Sequence, residues 1–196
     1  MLGTANRDRS AERRTATRRE ILDAAWQVAR EQGLALVTLR EVAALVGMRA
    51  PSLYTHFDSK NAIYDAMFED AWSECQRYLL AADVRAPRTA RSALRRYALL
   101  FFDFCVSDLA RFQLMNQRII PGFEPSPQAY EPAVTTLELL RDRLARWGIE
   151  RQQDIDLYVA IIGGLIDAQL ANDPGGRRWR RLVPRAMDML AQDLGL

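Results

Sequence analysis

"TLREVAALVGMRAPSLYTHFDSK", residues 38–60, decides the fold class of this 196-residue chain. Thr38 and Glu41 have the spacing of a capping box, in which a threonine caps the first helical turn and the glutamate reaches back to it. The apolar residues that follow have helical spacing, and Gly47 supplies the stop because glycine adopts a left-handed backbone without strain. A second short helix follows, with Pro51 in its first turn, where proline is tolerated. The stretch therefore predicts two short helices joined by a tight turn.

The second short helix has two faces of different character. Leu53 and Phe57 are four residues apart, so we expect both to pack on the preceding helices. Arginine, hydroxyl, aromatic and imidazole groups remain on the outward face, and folding alone explains them poorly. A helix–turn–helix presents such groups to phosphates and base edges in the major groove. The predicted DNA contacts are Thr38, Arg40, Arg49, Ala50, Pro51, Ser52, Tyr54, Thr55, His56 and Lys60.

The same stretch resembles the DNA-binding region of the TetR-type (tetracycline repressor-like) transcriptional regulators. The resemblance covers about residues 15–70 without a gap, including the Gly47 turn, the Leu53-Tyr54-x-x-Phe57 pattern and Ser59-Lys60. It implies a homodimer in which each chain has three DNA-binding helices and a larger ligand-binding helical domain. It also implies that the usual DNA contacts of the family fall on Thr38, Arg40, Pro51, Ser52, Tyr54, His56 and Lys60, and the operator-dependent ones on Arg49, Ala50 and Thr55.

The rest of the chain has the 3.6-residue period of helices, and no stretch alternates as a strand does. We expect the first helix to begin at Thr17, a long helix over residues 60–81, a connection over residues 82–89, and a last helix that begins or bends near Pro184. With nine helices in all, the predicted class is all-α. The predicted domains are a flexible basic arm over 1–14, the helix–turn–helix domain over 15–60, and a ligand-binding and dimerisation domain over 61–196.

Composition narrows the class of protein further. At 49% hydrophobic and 27% charged residues the chain is typical of a globular protein. Its apolar runs are too short to span a bilayer, and its N-terminus lacks the apolar segment of a secretory signal. We expect a cytoplasmic protein with no membrane partner. The first 19 residues contain six arginines and two acidic residues, and such a positive segment could bind the phosphate backbone of DNA. The alternative is a solvated tail that binds nothing.

Aromatic side chains are frequent beyond residue 90 and are candidates for the wall of an effector pocket, although each alone is more typical of a plain core. No group of His, Cys and carboxylate residues has metal-ligand spacing, so no metal and no cofactor are expected. The expected effector is a small, mainly apolar molecule. The candidate ligand-binding residues are Tyr97, Phe101, Phe104, Phe112, Met115, Gln117, Trp147, Tyr158, Ile162 and Gln169.

The helix predicted over 151–172 is apolar on nearly all sides, and the last helix has a similar surplus of apolar residues. One face of each can cover the core of its own chain while another meets a second copy in a four-helix bundle. A monomer that buries these faces internally is the alternative. The candidate dimer residues are Val159, Gly163, Ile166, Leu170, Trp179, Leu182, Val183, Ala186, Met189 and Leu190.

These patterns predict a repressor that binds a palindromic operator as a homodimer and is released by a small molecule. An activator, and a regulator that responds to a protein or to oxidation of Cys75 and Cys105, have the same sequence features. A DNA-binding protein without sequence preference also remains open. An enzyme that uses His56 is the remote alternative, because a general base needs a pocket and a nucleophile within reach. We therefore expect no catalytic residue.

Overall fold

The computed structural model describes residues 4–82 and 86–196, with the backbone alone for residues 4–8. Within these ranges the chain forms nine α-helices, two short 3-10 turns and no strand, so the all-α prediction is confirmed. Residues 1–3 of the predicted arm and 83–85 of the predicted connection lie outside the described residues. The helices are α1 (Thr4–Gln32), α2 (Leu39–Leu45), α3 (Ala50–Leu53), α4 (Lys60–Ala82), α5 (Ala90–Val106), α6 (Leu109–Asn116), α7 (Pro127–Ala145), α8 (Gln152–Asn172) and α9 (Val183–Asp193).

The first helix differs from the sequence prediction. α1 begins at Thr4 and not at Thr17, so residues 4–14 are helical where a flexible arm was expected. The physical reason is composition: alanine, arginine and glutamate favour helices, and no proline or glycine interrupts the chain between Thr4 and Thr17. Thr17 is therefore an interior helical residue and not a cap.

The described chain forms two compact units. Unit 1 extends to Asp70 and includes Gln113–Tyr130, whereas unit 2 consists of Ala71–Phe112 and Glu131–Leu196. These units differ from the predicted domains 15–60 and 61–196, because the first part of α4 and a distant segment pack with the N-terminal helices. As a result α4, α6 and α7 each begin in one unit and end in the other.

Unit 1 has a small, fully buried core. Its one buried phenol, Tyr64, is 1% exposed and donates a hydrogen bond of 2.5 Å to the carbonyl of Leu34. Burial raises the pKa of Tyr64 to about 12, so the hydroxyl remains a donor at neutral pH. The other large side chains that fill this core are Ile21, Leu34, Leu53, Ile63 and Met67.

Within unit 1, a hydrogen-bonded pair fixes the segment that precedes α7. The carboxylate of Asp65, in α4, accepts hydrogen bonds from the Ser126 amide at 2.7 Å and from its hydroxyl at 2.6 Å. Two ring contacts support the same attachment, with centroids 5.5 Å and 5.6 Å apart. These are Tyr64–Phe123 and Phe68–Tyr130.

Unit 2 is a helical bundle in which charged pairs join α5 to the C-terminal segment. Arg95 binds the carboxylate of Asp188 in α9, and Arg180 donates to Asp103 at 2.6 and 2.7 Å. α9 begins at Val183, so Pro184 lies in a first turn and the helix does not bend there. None of the helices in the described residues is long and apolar enough to cross a membrane.

The Asp65–Ser126 pair gives a prediction about stability. We expect Asp65→Ala to lower the free energy of unfolding by about 1–3 kcal/mol, because it leaves the Ser126 amide and hydroxyl without their acceptor. Glu69→Ala, at an exposed position in the same helix, is the matched control and should change it by less than about 0.5 kcal/mol. Urea denaturation measures both; equal effects of the two substitutions would contradict the assignment.

Candidate nucleic-acid interface

The turn between α2 and α3 has the geometry that the sequence predicts. Thr38 caps α2: its side chain accepts a hydrogen bond from the Glu41 amide at 3.2 Å and donates one to the Glu41 carboxylate at 2.7 Å. Gly47 ends α2 with a φ of 66°, and the amide of Met48 donates to the Ala43 carbonyl at 2.8 Å. This is a Schellman-type C-cap, which reverses the chain within a few residues.

α3 is a single helical turn, followed by tighter turns up to His56. Its backbone continues with hydrogen bonds of i to i+3 spacing, from Tyr54 to Pro51 and from Thr55 to Ser52, both 3.3 Å long. Leu53 and Phe57 are 0% and 3% exposed, so the predicted inward face is buried. So short a helix is held by this packing, since isolated helices of this length do not form in water.

The ten predicted DNA contacts all retain some exposure, and none lies in the core. Six are exposed and four are half-buried. Tyr54 is 55% exposed, so its ring is available to a partner. The exposed six are Thr38, Arg40, Arg49, Pro51, Tyr54 and Thr55, and the half-buried four are Ala50, Ser52, His56 and Lys60.

Arg18 of α1 holds the end of this stretch in place, and the sequence analysis did not single it out. Its guanidinium lies 4.1 Å from the centre of the Phe57 ring and donates a hydrogen bond to the His56 carbonyl. A cation over an aromatic face is attractive, more so when partly desolvated. No local pattern in the sequence distinguishes Arg18 from the neighbouring arginines, because its role depends on how α1 packs.

The surroundings of His56 are not those of a general base. Its side chain is half-buried, and its Nδ1 atom is closed to solvent without a hydrogen-bond partner among the described residues. Its backbone carbonyl is the acceptor of Arg18. The backbone of His56 is therefore anchored to α1, and its side chain keeps some exposure.

The ten candidate ligand-binding residues are divided between the two units. Met115 and Gln117 belong to unit 1, and the other eight belong to unit 2. In unit 2, Phe101 and Trp147 are half-buried. The remaining six are at least nine-tenths buried: Tyr97, Phe104, Phe112, Tyr158, Ile162 and Gln169.

The side-chain amide of Gln169 forms hydrogen bonds to the loop that follows α8. Its amide oxygen accepts hydrogen bonds from the backbone amides of Trp179 at 3.0 Å and Arg180 at 3.3 Å. Its amide nitrogen donates to the Asp173 carbonyl and, at 3.2 Å, to the Asp173 carboxylate. A side chain whose donors and acceptors are used in this way stabilises the loop, and we leave it out of the proposed ligand site.

The candidate dimer residues separate into core and surface within unit 2. Ile166, Val183 and Leu190 are between 0% and 3% exposed, so they pack inside the protomer and cannot meet a partner. The candidate partner surface is therefore limited to the predicted residues that keep some exposure. Its large exposed apolar members are Val159, Leu182 and Met189, at 47%, 39% and 63% exposed; Gly163, Leu170, Trp179 and Ala186 are half-buried.

The position of Lys60 gives a prediction about phosphate contacts. Its ammonium group lies at the start of α4, 5.3 Å from the centre of the Tyr64 ring. We expect Lys60→Ala to weaken binding to random-sequence duplex DNA and to reduce the slope of log affinity against log salt by about one, as the loss of one phosphate contact does.

Arg146→Ala provides the charge-matched control for Lys60→Ala. Arg146 is exposed and belongs to unit 2, away from the interface residues along the chain. Fluorescence anisotropy over a salt series measures both variants. If Lys60→Ala leaves the slope of the unsubstituted protein unchanged, or if Arg146→Ala reduces it equally, the assignment of Lys60 to a phosphate is wrong.

The comparisons with known proteins agree with this geometry. Residues 21–67 match the family model described as bacterial regulatory proteins, tetR family. The tetracycline repressor protein class D of Escherichia coli is 27% identical over 125 residues, which cover 64% of this chain and 54% of that protein. The chain thus spans about half the length of the curated relatives it matches.

Solved structures show the same fold at low sequence identity. A protein of unknown function from Rhodococcus sp. RHA1 has a TM-score of 0.77 at 19% identity, with 90% of this chain and 94% of that chain covered. The transcriptional regulator FadR from Bacillus subtilis has a TM-score of 0.68 at 18% identity, with 87% and 96% covered.

The family match includes the capped helix α2, the Gly47 turn and the buried side chains of α3 on which the interface depends. The matched segment includes His56, so the comparison favours the interpretation of this residue as part of a helix–turn–helix over the enzyme alternative. Residues 21–67, which hold the helix–turn–helix, are thus similar to the DNA-binding region of the bacterial regulatory proteins of the tetR family.

Proposed function

We propose that the protein is a cytoplasmic repressor that binds a palindromic operator as a homodimer and is released by a small, mainly apolar effector. The observation that carries the proposal is the division of α3 into a buried side, Leu53 and Phe57, and a side on which Tyr54 and Thr55 are exposed. Such a helix is fixed in position while its outward groups stay available to base edges and phosphates.

The exposed face of α8 and α9 supports the homodimer. Val159 and Met189 are large apolar side chains left in solvent. Gly163 and Gly164 of α8 have open space where a side chain would stand, so a second helix could approach the backbone closely. Two chains related by a two-fold axis would present two copies of α3 to half-sites about 34–36 Å apart, which is the reason for a palindromic operator.

The interior of unit 2 supports the proposal that the effector is a small molecule. This interior is rich in buried aromatic side chains, as apolar ligand sites are. One structural relative, FadR from Bacillus subtilis, was solved in complex with stearoyl-CoA. An effector that favours one arrangement of unit 2 could act on DNA binding because α4, α6 and α7 continue from unit 2 into unit 1.

The thiols give less support to an oxidation-responsive regulator. Cys75 and Cys105 are 0% and 1% exposed. Burial raises the pKa of Cys75 to about 12 and raises that of Cys105 well above its ordinary value. Because the thiolate is the species that oxidants attack, neither cysteine is suited to sensing them.

Selection of random duplex DNA at near-physiological salt tests the proposed operator. We expect the purified protein to enrich one palindrome, because two copies of α3 read two half-sites. A reporter promoter that carries the selected site should be expressed less when the protein is present, as a repressor requires. Enrichment of no sequence, or increased expression, would contradict the proposal.

Met189→Glu tests whether the protein must be a homodimer to bind the palindrome. A carboxylate on the proposed partner surface should give a monomer in sedimentation velocity and abolish retention of the palindrome, since a charge buried at an interface is costly. Leu80→Glu, at an exposed apolar position of α4, is the matched control and should leave both unchanged. A dimer that persists in Met189→Glu would show that this surface is not the interface.

A further inference from the structure

The N-terminal turns of α1, residues 9–16, are helical although they bury nothing. All eight positions are exposed, and the first buried side chain of α1 is that of Ile21. An isolated helix of this length does not form in water, so these turns are helical because they continue a helix that is packed further along. They carry Arg9, Arg13 and Arg14, and the packing of unit 1 gives no reason for these charges. Such a segment is available to a partner outside the chain.

Arg18 defines which side of α1 lies next to the DNA-reading stretch, residues 50–57. Its guanidinium lies 4.1 Å from the centre of the Phe57 ring and donates a hydrogen bond to the His56 carbonyl. These two residues end the stretch on which Tyr54 and Thr55 are exposed. The side of α1 that carries Arg18 is therefore continuous with the proposed DNA-binding surface.

Arg14 lies on the same side of α1, one helical turn before Arg18. Residues four positions apart are neighbours on a helix surface, and helical side chains lean toward the N-terminus. Arg14 therefore continues the side that Arg18 defines, about 6 Å farther along the helix axis. It is exposed, and it makes no hydrogen bond or ion pair with any residue that the structure describes. The edge of the proposed surface thus has a guanidinium whose donors are all available.

The other charged residues of these turns lie on different sides of the helix. At about 3.6 residues per turn, Arg14 is displaced from Arg18 by about 40° around the helix axis, whereas Arg13 is displaced by about 140°. Glu12, the acidic residue among them, is about 160° from Arg14, so its carboxylate does not neutralise that side. The side that carries Arg14 and Arg18 is therefore positive, and Arg13 provides an adjacent arginine on a different side for comparison.

We propose that the N-terminal turns of α1 are a second DNA-binding element, in which Arg14 contacts a phosphate of the duplex next to the groove that α3 reads. An exposed guanidinium complements a phosphate in charge and in the geometry of its donors. The contact rests on the proposed function, because it requires the DNA-reading stretch to lie against a duplex. It adds that α1 both holds the end of this stretch, through Arg18, and binds the DNA backbone beside it.

Fluorescence anisotropy over a salt series, with the full chain and a random-sequence duplex, tests this contact. We expect Arg14→Ala to weaken binding and to reduce the slope of log affinity against log salt by about one, as the loss of one phosphate contact does. Arg13→Ala removes the same charge from the next residue, which is equally exposed, and should leave the slope unchanged. Alanine favours helices, so both variants should keep the thermal unfolding midpoint of the unsubstituted protein.

Ala16→Pro tests whether the contact depends on the helix. Ala16 is exposed and lies between Arg14 and the packed part of α1, and a proline there interrupts the helix without touching the core. In this background Arg14→Ala should no longer reduce the slope more than Arg13→Ala does, because the two side chains lose their fixed sides. A difference that persists would show that the helix does not place Arg14 on the DNA, and would overturn the proposal.

The outcomes separate this contact from the proposed function, because a random-sequence duplex requires no palindrome and no effector. Equal reductions in Arg14→Ala and Arg13→Ala are the behaviour of a flexible basic tail and overturn the helical contact, as does an unchanged slope in Arg14→Ala. A reduction confined to Arg14→Ala upholds it. If no palindrome is then selected, the contact stands and the proposed operator falls, whereas a protein that binds no duplex overturns both.

Discussion

The burial of Leu53 and Phe57 is the constraint on which the proposed recognition of DNA depends. α3 is too short to form by itself, so its position is set by what its inward side chains contact. Arg18 completes this attachment from α1, through the Phe57 ring and the His56 carbonyl. Because the inward side chains fix the backbone, the outward side chains of this stretch are not needed for its packing. They are therefore available for contacts with bases and phosphates.

The hydrogen bonds of buried polar groups separate two of the candidate ligand-binding residues in unit 2. Gln169 looked like a ligand anchor in the sequence, but its amide is saturated by the loop after α8. Tyr158 was also a candidate ligand-binding residue, and its hydroxyl lacks the partner that Tyr64 has in unit 1. Residue type and burial alone rank these side chains together, and only the hydrogen bonds separate them.

The sequence predicted best what local chemistry determines. The Thr38 cap, the Gly47 turn and the two faces of α3 depend on residues a few positions apart, and all three are present. The predicted start of α1 at Thr17 is wrong, because the residues before it are also helical and Thr17 therefore does not cap a helix end. The role of Arg18 and the packing of residues 113–130 with the first helices depend on tertiary contacts, which no short sequence pattern encodes.

Site-specific photo-crosslinking tests most directly the claim that the outward face of α3 contacts DNA. Tyr54 and Tyr130 both belong to unit 1 and are 55% and 49% exposed, so they form a matched pair. Each is replaced in turn by p-benzoylphenylalanine, and the protein is irradiated in the presence of the selected duplex. We expect a covalent adduct with DNA from position 54 and none from position 130. An adduct of equal yield from position 130, or none from position 54, would contradict it.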